Sequence, residues 1–256
     1  MCSVIILRRP DAAWPLVLGA NRDEMADRPW QPPARHWPDR PNVVAGLDEL
    51  AGGTWLGMND EGLVAAILNR YGTLGPEEGK RSRGELVLEA LDHADASEAA
   101  LALAQLDTRA YRPFNLLIAD NRDAYVLVHR GGDASRGPRN RPETQPVPEG
   151  VHMLTAADLD DGADPRTALY LPLFRHAPPP DPDAGSWGGW PELLGSRIWD
   201  GADARGAMTF RMPSGFGTSS SALIALPSVE RPDLDPIWHF APGAPHETPW
   251  KPLDLG

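Results

Sequence analysis

Apolar residues in this chain gather into short runs, and most of the runs have the length and composition of strands. Residues 3–7 (SVIIL) are continuous and β-branched, the pattern of a strand buried on both faces. After a turn over residues 10–13, residues 15–20 (PLVLGA) predict a second strand that pairs with the first as a hairpin. Gly52 and Gly53 mark a tight turn before another hairpin, 54–58 (TWLGM) with 63–68 (LVAAIL), joined by Asn59-Asp60-Glu61-Gly62 and closed by Asn69. Residues 114–119 and 124–129 predict a further pair around the turn at 120–123, and shorter strands are expected at 151–155, 221–226 and 237–240.

Helical spacing falls in the middle of the chain. Residues 82–93 and 97–106 predict helices, the second with Ser97 as its N-cap, and 166–174 predicts a third in spite of Pro172. Residues 28–42 hold five prolines and two tryptophans, which predicts an extended, non-helical segment. Residues 131–149 and 177–190 read as glycine- and proline-rich loops. Hairpins, then helices, then more strands predict an α+β fold of sheets packed with helix layers, as one domain over 1–256.

Composition narrows the partners. The net charge is −12 and the pI about 5.0, with no basic stripe, which argues against nucleic acid or an anionic membrane as the main partner. No run approaches the roughly 18 apolar residues of a membrane span, and SVIIL is too short for a signal segment. A cytoplasmic, soluble protein is expected. The single cysteine excludes an intramolecular disulfide and a cysteine-rich zinc site. The histidines show no metal-ligand spacing, and there is no nucleotide-binding glycine motif.

The candidate chemistry lies at the start. That one cysteine is Cys2, directly after a methionine of the kind normally trimmed before a small residue. Trimming leaves a thiol and a free α-amine on one residue, with reference pKa values of about 8.5 and 7.7–8.0. Such an amine can take the proton from the nucleophile beside it. Antiparallel pairing of the first two strands brings Asp23 near Cys2, where a carboxylate can orient the ammonium. The plainer alternatives are a small buried residue at a strand start and a solvated aspartate at a strand end. Trp30 and Trp55 are candidate walls of a pocket or members of the core.

The opening MC, GANRDE at 19–24, GGTWLGMNDEGLVAAILNRYG at 52–72 and SRG at 82–84 resemble the NRDE family, that of the transport-and-Golgi-organisation protein 2. A more distant likeness is to choloylglycine hydrolases and penicillin V acylases. These also start at Cys2 and carry segments like Gly19-Ala20-Asn21-Arg22-Asp23 and Gly57 through Asn69. The likeness implies an N-terminal nucleophile (Ntn) hydrolase fold, an αββα sandwich of two mainly antiparallel sheets between helix layers. It implies Cys2 as nucleophile, Asp23 as binder of its amine, and Asn69 as an oxyanion donor. Losing such a donor typically costs roughly 100- to 1,000-fold in rate. Arg22 stands near the place of an arginine that the hydrolases carry where this chain has Ala20. Asn21, Trp30, Trp55 and Arg70 are the candidate substrate-binding residues.

Other positions depart from the pattern. Thr155 is followed by Ala156 rather than asparagine, and Gly217-Thr218-Ser219-Ser220-Ser221 has serine where the NRDE pattern has arginine. The resemblance thus supports two functions. One is a cofactor-free amidase acting on a small linear amide. The other is a trafficking protein with a lipophilic ligand, lipid or haem, with Cys2, His129, His152 or His239 as candidate iron ligands.

Overall fold

The computed structural model describes residues 2–131, 140–199 and 201–255. In chain order the strands are β1 (Ser3–Arg8), β2 (Leu16–Met25), β3 (Trp30–Ala34), β4 (Val43–Asp48), β5 (Leu56–Asn59) and β6 (Val64–Asn69). Helices α1 (Gly84–Leu91) and α2 (Ala96–Leu103) follow, then β7 (Phe114–Ala119), β8 (Ala124–His129), β9 (Glu143–Pro146) and β10 (Gly150–Leu154). The chain continues with α3 (Pro165–His176), α4 (Trp190–Leu194), β11 (Phe216–Leu226), β12 (Ile237–Ala241) and β13 (Lys251–Pro252). They form two units, Met1–Arg28 with Pro148–Gly256, and Pro29–Val147.

The first unit is built on a six-stranded antiparallel sheet in the order β10-β1-β2-β11-β12-β13. Ile5, Leu7, Val17, Leu223 and Ala225 on one face pack with Tyr170 and Phe174 of α3 and Trp190 and Leu194 of α4. Val4, Ile6, Leu16, Leu18 and Ile224 on the other face are also buried. Burial on both faces explains why β1 reads as a continuous apolar run rather than an alternating one. Gly19 lets the Trp190 ring approach the sheet, since a Cβ there would stand 3.0 Å from it. Helix α3 begins at Asp164, whose side chain accepts the Thr167 N–H, with Pro165 at the first helical position.

The second unit is a seven-stranded antiparallel meander, β3 through β9 in order. Leu86, Val87 and Leu91 of α1 and Ala99 and Leu103 of α2 join Val43, Ala65, Leu116 and Leu127 in its core. The β5–β6 turn serves two elements at once. Asn59 Oδ1 accepts from the N–H groups of Glu61 and Leu63, while its Nδ2 donates to the Leu91 and His93 carbonyls at the end of α1.

Several boundaries differ from the sequence expectation. Strand β4 has no counterpart in it, and β3 forms inside the proline-rich segment as an edge strand, where a missing N–H is tolerated. Strand β9 is likewise an edge strand at the end of the expected 131–149 loop, of which residues 132–139 lie outside the described residues. Trp190, placed in a loop by the sequence reading, starts α4. Strand β2 extends to Met25, and β11 begins at Phe216 rather than at residue 221. Helix α2 is capped by Asp95, not Ser97. Asp95 Oδ1 takes the Glu98 N–H at 2.8 Å, and the Ser97 hydroxyl donates to the same oxygen.

Candidate functional site

The β1–β2 hairpin pairs Ser3 with Asn21, and the same register carried one residue further sets Cys2 opposite Arg22. Strand alternation then sends Ser3, Asn21 and Asp23 to the helix-covered face of the sheet, and Cys2 and Arg22 to the other. Cys2 is half-buried, and its Sγ lies 3.9 Å from the Asp23 carbonyl oxygen. The hairpin therefore brings Asp23 to Cys2 through its backbone. Burial pushes the Cys2 thiol above its ordinary pKa; the positive N-terminus pulls it down, Asp23 adds to the rise, and Arg22 opposes it.

The Asp23 carboxylate is buried on the helix side. Its Oδ2 accepts from Arg166 at 3.0 Å and its Oδ1 from the Thr218 hydroxyl at 2.8 Å. Arg166 also donates to Ser3 Oγ at 2.7 Å, and through Nε and a second terminal nitrogen to the Arg205 carbonyl at 3.1 and 2.8 Å. Its guanidinium lies 5.5 Å from the centre of the Phe210 ring. Arg166 is 1% exposed and Asp23 2%. Arg166 stands in the first turn of α3, where the helix dipole disfavours a cation. Asp23 supplies the charge that offsets this. The turn itself is planted at the end of β10, because the capping Asp164 also accepts from the Thr155 hydroxyl at 3.2 Å.

The neighbours of Asp23 on β2 do different work. Asn21 is buried with both amide hydrogens donated, to Leu194 O and Met208 O at 2.9 Å each, while its oxygen accepts from Ser221 at 2.6 Å. It ties β2 to the segments beside it. Arg22 donates to Ser219 Oγ at 3.2 Å and lies 3.8 Å from Glu24. A bulge in β11 between Thr218 and Ser220 makes this possible, with Ser219 as the extra residue. Thr218 then pairs with Asp23 and Ser220 with Arg22.

Asn69, Arg70, Trp30 and Trp55 belong to the second unit. Asn69 ends β6 opposite Phe114, is half-buried, and makes no side-chain hydrogen bond among the described residues. Arg70 donates to the fully buried Asn115 at 2.6 Å. Trp30 and Trp55 pack edge to face at 5.7 Å, and Trp55 fills the space above Gly46, where a Cβ would stand 2.3 Å from its ring.

The sequence reading did not single out Arg166 or Ser3, and it quoted Thr218 and Thr155 only as parts of family motifs. Asp164-Pro165 is a legible helix start, but nothing in its spacing points to Asp23.

Of the histidines, His152 has both ring nitrogens bonded, Nδ1 to Asp160 at 2.6 Å and Nε2 to the Glu149 carbonyl at 3.2 Å. The bond to Asp160 raises its pKa. His239 Nδ1 accepts from Trp187 at 3.1 Å, and burial lowers the pKa of both His239 and His129. Among the described residues no group of three or more His, Cys, Asp or Glu side chains is set to hold a metal ion, and no helix is long and apolar enough to cross a membrane.

Comparison with solved structures finds the same fold at low identity. A penicillin V acylase from Agrobacterium tumefaciens aligns with a TM-score of 0.51 and 13% identity, over 94% of this chain and 83% of that one. A Caenorhabditis elegans ortholog of N-acylethanolamine-hydrolyzing acid amidase gives 0.55 and 14%, over 87% and 92%. The R18L variant of a conjugated bile acid hydrolase from Clostridium perfringens gives 0.55 and 14%, over 99% and 92%. The fold is thus α+β of the Ntn-hydrolase type. In sequence, the chain is 35% identical to the mouse Transport and Golgi organization 2 homolog and 36% to the bovine one, over 153 residues that make up 58% of this chain and 52% of each relative. The chain thus spans about half the length of these curated relatives. The family model described as Transport and Golgi organisation 2 matches residues 1–169. The chain belongs to the Transport and Golgi organisation 2 family, carried on an Ntn-hydrolase-like fold.

Proposed function

We propose that the chain hydrolyses a non-peptide C–N bond of a small linear amide, with Cys2 as the nucleophile. The observation that carries this reading is the position of the only cysteine. It directly precedes β1, beside the Asp23 backbone, where Asp23 itself is held in a buried polar cluster. A thiol kept protonated by burial needs a base at hand. Once Met1 is removed, the α-amine of Cys2 is that base, with a reference pKa of about 7.7–8.0. The amine takes the thiol proton, the thiolate adds to the amide carbon, and the proton passes to the leaving amine as the C–N bond breaks. Water, activated by the same amine, then cleaves the thioester and releases the acid. Asn69 is the proposed oxyanion donor, on the likeness of the segment from Gly57 through Asn69 to that of the acylases.

The test is turnover of a panel of linear N-acyl amides by protein whose intact mass shows Met1 removed. Cys2→Ala should reduce hydrolysis to background. Cys2→Ser should leave a trace, because the hydroxyl is less acidic and harder to activate. Full activity in purified Cys2→Ala would sink the mechanism.

A carrier of a lipophilic ligand is the second reading. It is favoured by the raised thiol and by Ala20, Ala156 and Ser219, which stand where the hydrolases or the NRDE pattern carry polar or charged groups. His152 and His239 already spend ring nitrogens inside the fold, so they are not a ready pair of iron ligands. Under this reading an acyl-chain probe binds equally to wild type and Cys2→Ala. Haemin added to stoichiometric protein, with no Soret shift, would remove haem from it.

A further inference from the structure

Asp23 is the residue whose backbone the hairpin register brings to Cys2, yet the residue that holds its carboxylate comes from far along the chain. The Arg166 guanidinium reaches it from α3, 143 residues away in sequence, and grips Ser3 Oγ with the same terminal nitrogen. Its Nε and other terminal nitrogen donate to the Arg205 carbonyl, and the Phe210 ring lies 5.5 Å from its guanidinium carbon.

We propose that Arg166 is a positioning residue for the Cys2 nucleophile. It fixes the Asp23 carboxylate and the Ser3 hydroxyl, and so sets both the geometry and the net charge at the start of β1. The inference rests on the nucleophile reading and deepens it. A lone buried carboxylate would hold the Cys2 amine as an ammonium and disfavour the thiolate. With Arg166 against it, the pair is close to neutral, and the amine is left free to act as a base. Arg166 brings a cation to the region from another element.

The charged groups to account for are few. Asp23 and Arg22 come from β2, with Glu24 3.8 Å from Arg22. The N-terminus contributes its own charge. On the helix side, Arg166 is accompanied by the capping Asp164, and by Asp203, which is itself paired to the Arg205 side chain.

The experiment is the pH–rate profile of iodoacetamide alkylation, which reads Cys2 alone because the chain has no other cysteine. Full-length wild type is compared with Arg166→Gln, Arg166→Lys and the double variant Arg166→Gln/Asp23→Asn. Removing the cation should move the Arg166→Gln profile to higher pH and slow alkylation at pH 7 by about 3- to 10-fold, the direction expected when a carboxylate loses its counter-charge. Arg166→Lys keeps the charge and should stay within about 2-fold of wild type. The double variant removes both charges and should return towards wild type. An Arg166→Gln profile superimposed on wild type, in folded protein, overturns the proposal.

If Arg166→Gln does not fold, Asp23→Asn reads the same coupling in the opposite direction. Its profile should move to lower pH, and an unmoved profile overturns the proposal equally. The two readings fail separately. A wild-type thiol that reacts slowly counts against the nucleophile, whereas the displacement between variant profiles decides Arg166.

Discussion

In the second unit two buried polar side chains, Asn59 and Asp120, serve the main chain. Asn59 caps the end of α1 and its own turn, and Asp120 takes the N–H groups of Ala96, Arg122 and Asp123. In the first unit one buried cluster is bonded within itself. Asp23, Arg166, Ser3 and Thr218 are bonded side chain to side chain, with an ion pair that water does not reach. Both units rest on antiparallel sheets with helices on a face, so architecture does not explain the contrast. Turn and helix ends leave backbone groups that must be satisfied when buried, and Asn59 and Asp120 answer that need. A buried ion pair answers no such need, since apolar residues of similar volume usually stabilise a fold at least as well. Its place on the strand that passes Cys2 is what the proposed nucleophile would draw on.

The sharpest way to break this comparison is to take the pair apart. Asp23→Ala leaves the Arg166 charge buried and should cost about 3–5 kcal/mol in urea unfolding. Replacing both, as Asp23→Leu/Arg166→Met, should recover most of that stability but not amide turnover. A double variant as unstable as the single one would make the pair a structural tie like Asn59.

The reciprocal experiment is Asn59→Ala in the second unit. It strands two carbonyls and two N–H groups and should cost about 2–3 kcal/mol, while the alkylation profile of Cys2 stays unmoved. A smaller effect should come from His152, whose bond to Asp160 raises its pKa. Its stabilisation is fully present below the unfolded value of about 6.5 and is lost as pH rises through the higher folded value. Thermal melts from acid to alkaline pH should show that decline, and His152→Gln should flatten it. Smallest is the cap of α2. Asp95→Ala should cost about 1 kcal/mol, and Ser97→Ala within about 0.5 kcal/mol, measured by the same unfolding curves. The reverse order would restore Ser97 as the cap.

Much of the framework is legible locally. Strands β1 and β5 to β8 follow from β-branched runs and from turn residues such as Asn59 through Gly62, because a hairpin is encoded by neighbours. The same reasoning places Asp23 beside Cys2. It does not show that the contact is made through the backbone while the carboxylate faces the helices. Strand β4 went unread because VVAGLD directly follows the proline-rich segment read as extended, and β9 because an edge strand of polar residues carries no hydrophobic period.

The sequence alone determined the nucleophile candidate, the hairpin that flanks it and the α+β class, all of which depend on residues close in the chain. Only the tertiary structure decided that Asn21 is spent on Leu194 and Met208, that Ser219 is a bulged residue, and that Arg166 is the partner of Asp23. A buried charge is expensive until its partner arrives. When that partner lies 143 residues away, no local pattern records it; the pairing exists only once the sheet and α3 have packed.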